Sequence, residues 1–319
     1  MIISRKRVAR PRHSRQRAAL AWAGQNPKAH KPMTASAATQ IFGIVNITTD
    51  SFSDGGLYLK PEAALSHARD LVSQGAHVLD VGPASSHPDA GDVSPDTEIA
   101  RLETVWDDLK ALGAPLSVDS FQPQTQRWAI AQGANWLNDI NGFQDPSLYD
   151  ELADYRGRLV VMHAVQAKGI ATRTASPEGD IWPIIFRFFE QKLEAFERAG
   201  IARDKLVLDP GMGFFLGNRA ATSLAVLAGL HRLKREFEVP VLVCVSRKSF
   251  LRALASPNDT PIAVEQSGSI SLAGEIMALE QQVDFIRTHA PAPLAQAIRL
   301  RAAISNAGGK AGGKAGGEK

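Results

Sequence analysis

The sequence predicts an α/β chain folded as a (β/α)8 barrel, flanked by disordered N- and C-terminal tails. Three observations predict it. Eight short apolar runs alternate with amphipathic stretches. The alternating part covers residues 40–306, close to the ~250 residues such a barrel needs. A polar residue closes each apolar run, as functional residues close the strands of a barrel. A doubly wound open sheet is the competing arrangement. Against it, no Gly-x-Gly-x-x-Gly loop follows the first run.

The elements follow in order. The first run, 42–47, carries Asn46 and leads through a Gly/Ser/Asp loop, 48–59, to an amphipathic stretch at 61–74. The second, 78–81, carries Asp80; a loop at 83–93 and an amphipathic stretch at 97–112 come next. The third, 116–118, ends at Asp119 before a stretch at 123–132, and the fourth, 136–140, holds Asn138. The fifth, 159–162, ends at Met162 and His163 before a stretch at 181–199. The sixth, 205–208, ends at Asp209 before a stretch at 223–237. The seventh, 239–245, runs into Ser246, Arg247 and Lys248, with Ser249 opening a helix; a stretch at 272–282 follows. The eighth, 285–286, is followed by Arg287 and His289. In a barrel those ends converge on one rim.

Outside 40–306 the composition changes. Residues 1–39 hold nine of the 36 Lys/Arg and no Asp or Glu, and include Pro11, Pro27 and Pro32. They read as a disordered basic extension, with Met33 just before the first strand; an organelle transit segment is the alternative. Residues 307–319 are Gly/Lys-rich and read as a flexible tail. Without the tails the chain has 24 Lys/Arg against 32 Asp/Glu, a net of −8. The basic isoelectric point therefore belongs to the tails, and no nucleic-acid partner is expected.

Composition excludes several classes. Hydrophobic residues at 44% and charged residues at 22% exclude wholesale disorder. No apolar run reaches the ~18 residues of a membrane span, so no membrane association is expected. One cysteine, Cys244, excludes a disulfide framework and a multi-cysteine zinc site, and fits a cytoplasmic protein. There is no Gly-x-Ser-x-Gly, no Walker loop and no His-Glu-x-x-His. Met162 and His163 read as packing before metal ligation.

The rim residues sort by chemistry. Asp119, Asn138 and Asp209 accept hydrogen bonds from ring N–H and amino groups, and suit the edge of a flat heterocycle. Lys248, Arg287 and His289 are donors suited to phosphate or carboxylate. The predicted site is two-ended.

Together these motifs resemble dihydropteroate synthase, a folate-biosynthesis transferase with a (β/α)8 TIM barrel. FGIVNITTDSFSDGG (42–56) and DVGPASSHP (80–88) resemble its first two signatures. Asp119, NDI (138–140), Met162–His163, Asp209–Pro210–Gly211, SRKS (246–249) and RTH (287–289) follow in family order. The resemblance implies condensation of 6-hydroxymethyl-7,8-dihydropterin diphosphate with 4-aminobenzoate, in an SN1-like reaction that releases diphosphate. It implies Asp119, Lys248, Arg287 and His289 as catalytic. Asp119, Asn138, Met162, Asp209, Phe214 and Lys248 are implied for the pterin. Asn46, Arg287 and His289 are implied for the diphosphate, with Asn46 also on Mg²⁺. Phe52, Ser86, Pro88, Lys248 and Ser249 are implied for 4-aminobenzoate. The family is usually a homodimer through helices late in the barrel.

Three departures from the housekeeping pattern stand out. His87 occupies the place of a cationic Arg, in a loop one residue longer. Thr49 replaces a Pro. DPGMGFFLGN (209–218) carries an extra bulky residue, Phe215. These resemble the mobile, sulfonamide-insensitive Sul type. Phe215 is expected to discriminate against the drug, admitting a flat carboxylate and clashing with a substituted sulfonyl. A drug-sensitive housekeeping synthase, a non-catalytic pterin-binding paralogue and a pterin-binding methyltransferase barrel are the alternatives.

Overall fold

The structure, a computed structural model, describes residues 38–48, 60–166, 169–258 and 260–312. Phe52 and Thr49 lie outside the described residues, as do 1–37.

Eight parallel strands form the barrel. β1 is Gln40–Asn46, β2 Val78–Gly82, β3 Leu116–Asp119 and β4 Trp136–Asp139. β5 is Arg158–Met162, β6 Leu206–Asp209, β7 Leu242–Val243 and β8 Phe285–Thr288. The hydrogen-bonded order is β6-β5-β4-β3-β2-β1-β8-β7, and a parallel bridge from Leu208 to Val241 brings β6 against β7. The sequence-derived barrel holds; residues 313–319 lie outside the described residues, and the last helix runs on to Gly312, into the stretch read as a flexible tail.

Two physical details shape the ring. β7 covers only part of the apolar run around it: before it, Pro240 has no N–H to give and its carbonyl accepts from the Leu208 N–H at 2.9 Å, and the Val241 N–H donates to the Asp284 carboxylate at 2.9 Å. Gly43 on β1 is required by close approach: a Cβ there would meet the Ala76 Cβ at 3.0 Å and the Leu71 Cβ at 3.2 Å.

Helices cover the outside. α1 is Pro61–Ser73, α2 Pro95–Glu103, α3 Trp106–Ala111 and α4 Pro123–Ala131. α5 is Tyr149–Asp154, α6 Trp182–Arg198, α7 Ala220–Ala228 and α8 His231–Phe237. α9 is Ser249–Leu254, α10 Gly268–Glu280 and α11 Pro291–Gly312. Proline opens α1, α2, α4 and α6, where a missing N–H costs nothing. Ser94 caps α2 by accepting from the Thr97 N–H at 3.3 Å.

The stretches at 97–112 and 223–237 are each two helices, not one. At the first break the Val105 N–H turns to the Leu102 carbonyl at 3.1 Å, and Leu102, Trp106 and Leu109 all stay buried. At the second, Gly229 ends α7, and Leu230 and Leu233 re-enter the core.

The core has two layers. Between strands and helices lies one continuous apolar shell. Inside the ring a second cluster gathers Phe42, Val78, Trp136, Val160, Val207, Leu242 and Phe285. Phe42, Trp136 and Phe285 meet edge-to-face, with centroids 5.0–5.6 Å apart. The barrel interior is thus plugged below, where Arg158 at the start of β5 lies over the Trp136 and Phe285 rings at 4.9 and 5.3 Å, and the cavity-lining polar side chains gather at the end where the strands finish.

Candidate active site

A cavity of about 480 Å³ opens at the C-terminal ends of the strands, and a smaller one of about 30 Å³ adjoins it. The smaller is lined by Asn138, Met162, Asp209 and Ile140, and shares Asp119, Phe215, Lys248 and Arg287 with the larger. Asn46, Ser86, Pro88, Phe214, Ser249 and His289 line the larger. Every sequence-predicted site residue that is described therefore meets at one place. Phe214, expected against the pterin, lies in the larger cavity only; Phe215 reaches both.

Arg287 is the hub. Its Nη2 donates to Asp119 Oδ2 at 2.6 Å, and its Nε donates to Asp80 Oδ2. Asp80 Oδ2 also accepts from Asn138 Nδ2 at 3.2 Å. Asp80 sits inside β2 and is fully buried, so it aligns Arg287 and Asn138 from below. Burial works against the charge on Arg287, but Asp80 and Asp119 more than offset it and hold the guanidinium protonated. Burial pushes the Asp119 carboxyl upward against the pull of Arg287, and Asp80 adds to the rise. Asp209 is pushed up to about 6 by burial, although its Oδ1 accepts from the Gly211 N–H at 2.8 Å.

The opposite end is cationic. After β7 the backbone turns through Arg247 at φ 59°, a left-handed conformation that costs a non-glycine residue ~1 kcal/mol or more. That turn directs Ser246, Arg247 and Lys248 to the cavity in succession. The Arg247 N–H is held by Ser271 Oγ at 3.0 Å. Ser246 Oγ accepts from the His289 N–H at 3.4 Å and meets His289 Nδ1 at 3.0 Å. The direction of the Ser246–His289 Nδ1 bond follows the ring's tautomer, and either way the contact orients the imidazole. Burial lowers the His289 pKa well below the ordinary value, with Arg247, Arg287 and Lys248 adding to it.

His163 departs from the rim pattern. It is buried, its Nδ1 lies 3.0 Å from the Pro210 carbonyl, and its ring meets Phe188 edge-to-face. Burial lowers its pKa to about 4. It fastens the end of β5 to the loop after β6.

Phe215 is buried with Ile140, Met162 and Ala171. Its carbonyl accepts from the Val165 N–H at 2.8 Å, and Lys248 Nζ lies 5.6 Å from its ring. His87 is partly buried; burial lowers its pKa, opposed by Asp89 and reinforced by Arg173, Lys248 and Arg252. Arg173 and Arg252 both line the larger cavity. Sequence reasoning missed both, since neither stands in a strand-end motif.

No group of three or more His, Cys, Asp or Glu among the described residues makes a metal cage. Asn46 Oδ1 lies over Gly82, where a Cβ would come within 3.4 Å of it. Such a donor suits a magnesium ion that arrives with phosphate oxygens and keeps its water, which is how this ion commonly binds.

The (β/α)8 barrel carries an acidic, amide-lined cavity and a cationic one at the same rim, and residues 42–289 match the family of pterin binding enzymes. Within it, the chain belongs to the dihydropteroate synthases. It is 53% identical to dihydropteroate synthase type-2 of Escherichia coli over 266 residues, 83% of this chain and 95% of the relative. It is 48% identical to dihydropteroate synthase type-1 of Escherichia coli over 260 residues, 81% and 91% of the two chains. The solved dihydropteroate synthase of Xanthomonas albilineans with 4-aminobenzoic acid superposes with a TM-score of 0.75 at 34% identity, covering 84% of this chain and 93% of that one. The chain is more similar to the type-2 and type-1 enzymes than to the Xanthomonas enzyme, in line with its Sul-type motifs.

Among the described residues no helix is long and apolar enough to cross a membrane.

Proposed function

We propose that the chain condenses 6-hydroxymethyl-7,8-dihydropterin diphosphate with 4-aminobenzoate to 7,8-dihydropteroate and diphosphate, and that it does so in the presence of sulfonamides. The observation that carries this reading is Arg287, which stands between the acidic, amide-lined cavity and the cationic one.

Asp119, Asn138, Asp209 and Lys248 hold the pterin edge, with Met162 against its face and Phe214, in the larger cavity, toward the amine. Burial of Asp119 and Asp209 in this pocket strengthens each hydrogen bond they accept. Arg287, His289 and Asn46 receive the diphosphate. Asn46 would hold Mg²⁺ together with diphosphate oxygens, and the bound ion supplies neutralisation of the leaving group's charge. The C–O bond to diphosphate breaks with its electron pair going to the leaving group. Fixed donors at Arg287, Lys248 and His289 stabilise that charge without reorganising. The carboxylates of Asp119 and Asp209 favour the positive charge left on the pterin methylene. The aniline nitrogen, placed by Phe52, Ser86, Pro88 and Ser249, then attacks, and its proton leaves to water.

Phe215 is the drug-discriminating side chain. It is packed on Ile140 and Met162 and bounds both cavities, so a substituent on a tetrahedral sulfonyl meets a ring that cannot yield. The reading extends to a cytoplasmic homodimer acting on small molecules, with no nucleic acid or membrane. Leu254 on α9 and Met277 on α10, both exposed, support contact through the late helices.

The test is dihydropteroate formation from the two substrates with Mg²⁺, followed together with diphosphate release. Tight pterin binding without either product would point to a binding paralogue instead.

A further inference from the structure

Residues 171–176, between β5 and α6, form a strap beside the larger cavity, which Ala171 and Arg173 line. At its far end Ser176 lies against Gly217, where a Cβ would come within 2.4 Å of the Ser176 Cα; φ is +96° there. The Arg219 N–H donates to Ser176 Oγ at 2.9 Å. At its near end the Ala171 N–H donates to the Ser86 carbonyl at 3.1 Å. Between these anchors stands Arg173. Its Nη1 and Nη2 donate to the two carboxylate oxygens of Asp89, on the loop after β2. Its guanidinium carbon lies 5.6 Å from the centroid of Phe214, and the His87 ring meets the same Phe214 edge-to-face at 6.3 Å. One side chain therefore links the loop that carries Ser86, His87 and Pro88 to the aromatic pair after β6.

An exposed ion pair adds little to stability. A bidentate Arg–carboxylate pair does fix geometry, because both partners are planar and their two hydrogen bonds are parallel. The fixed parts are the walls of the amine end of the cavity. Once diphosphate has left, the pterin methylene cation has two possible partners. The aniline nitrogen forms a C–N bond and gives dihydropteroate. Water forms a C–O bond, loses a proton and gives 6-hydroxymethyl-7,8-dihydropterin. Both routes release one diphosphate.

We propose that Arg173 is a positioning residue for the amine substrate: clasped to Asp89 and laid over Phe214, it closes the amine end against water and keeps diphosphate release coupled to C–N bond formation. The inference rests on the synthase reading above.

The test compares the unaltered enzyme with Arg173→Met, Asp89→Asn and the charge-exchanged pair Asp89→Arg with Arg173→Asp. KM for each substrate, the ratio of diphosphate released to dihydropteroate formed, and the melting temperature are measured for all four. In the single variants KM for 4-aminobenzoate rises about fivefold, the ratio that ~1 kcal/mol corresponds to. KM for the pterin diphosphate stays within about twofold, and the product ratio rises above one. The exchanged pair moves both readouts back toward the unaltered enzyme. A ratio of one with both KM values unchanged in the single variants overturns the inference. So does a parallel rise of both KM values with a lowered melting temperature, which marks a purely structural contact. Absence of turnover in the unaltered enzyme overturns the synthase reading itself, and is seen before any variant is compared.

Discussion

Arg287 on β8 and Asp119 on β3 are joined by a hydrogen bond of 2.6 Å, and the same guanidinium also holds Asp80 on β2. Three strands on one side of the barrel are thus tied by a single cation that lines both cavities. The side chains of Arg287 and Asp119 are 16% and 15% exposed and that of Asp80 is 0%, so water screens the group poorly. The site is preorganised before substrate enters.

Removing that cation leaves two buried carboxylates without it. Arg287→Met is expected to lose about 3–5 kcal/mol of stability, the usual cost of breaking a buried pair. Turnover is expected to fall at least about 100-fold, as when a fixed donor to developing charge is lost. Arg287→Lys keeps the charge but not the fork, and recovers part of the stability and less of the activity. Urea denaturation and product assays on both variants check this. A fully stable Arg287→Met protein would contradict the pairing.

A second buried acid lies behind β8. Glu275 on α10 is 2% exposed, accepts from the Thr288 hydroxyl, and has been pushed by burial from 4.5 to about 7. Its raised folded value means that its contribution is fully present below the unfolded value near 4.5 and is lost as pH rises through 7. The full loss corresponds to about 3 kcal/mol. Glu275→Gln is therefore expected to gain stability over the unaltered protein at pH 8 and to show little gain at pH 5. Thermal melts at the two pH values check the sign. Asp139 and Asp209, each pushed to about 6 by burial, titrate in the same direction in both proteins and cancel in the comparison.

The drug-discrimination role of Phe215 is tested by shortening it. Phe215→Ala removes a buried ring and is expected to cost about 3–5 kcal/mol of stability. Phe215→Leu keeps most of the packing and opens the cavity edge. In that variant sulfamethoxazole inhibition is expected to strengthen about tenfold, equivalent to ~1.4 kcal/mol of differential binding. Inhibition assays against 4-aminobenzoate check it, and unchanged tolerance would count against the ring.

Magnesium is expected to act with the diphosphate and not with the pterin ring. Chelation should abolish turnover while leaving the affinity for a pterin lacking the diphosphate unchanged. Asn46→Ala should raise the Mg²⁺ concentration needed for half-maximal rate about tenfold, the order expected for one lost polar contact to a bound ion. A metal titration of both proteins decides it.

The strands were readable because each is a short local apolar run with a polar residue at or near its end; Asp80 proved to lie inside β2, which runs on to Gly82. Asn46, Asp119 and Asp209 stand last in β1, β3 and β6. His163 follows the same local pattern yet turns to the Pro210 carbonyl, since a strand end does not say which way its side chain is packed. The two broken helices were hidden because one apolar periodicity runs through each break. Arg173 was hidden for a different reason. Its partner Asp89 is 84 residues away, and no pattern in either loop marks the pair. Asp119 and Arg287 are 168 residues apart, and only their places at strand ends foretold that they meet.

The most direct measurement is diphosphate and dihydropteroate formation by the purified protein with pterin diphosphate, 4-aminobenzoate and Mg²⁺, with and without excess sulfamethoxazole. The account predicts turnover that persists in the drug. Turnover abolished by the drug would contradict the role given to Phe215, and pterin binding without turnover would contradict the synthase itself.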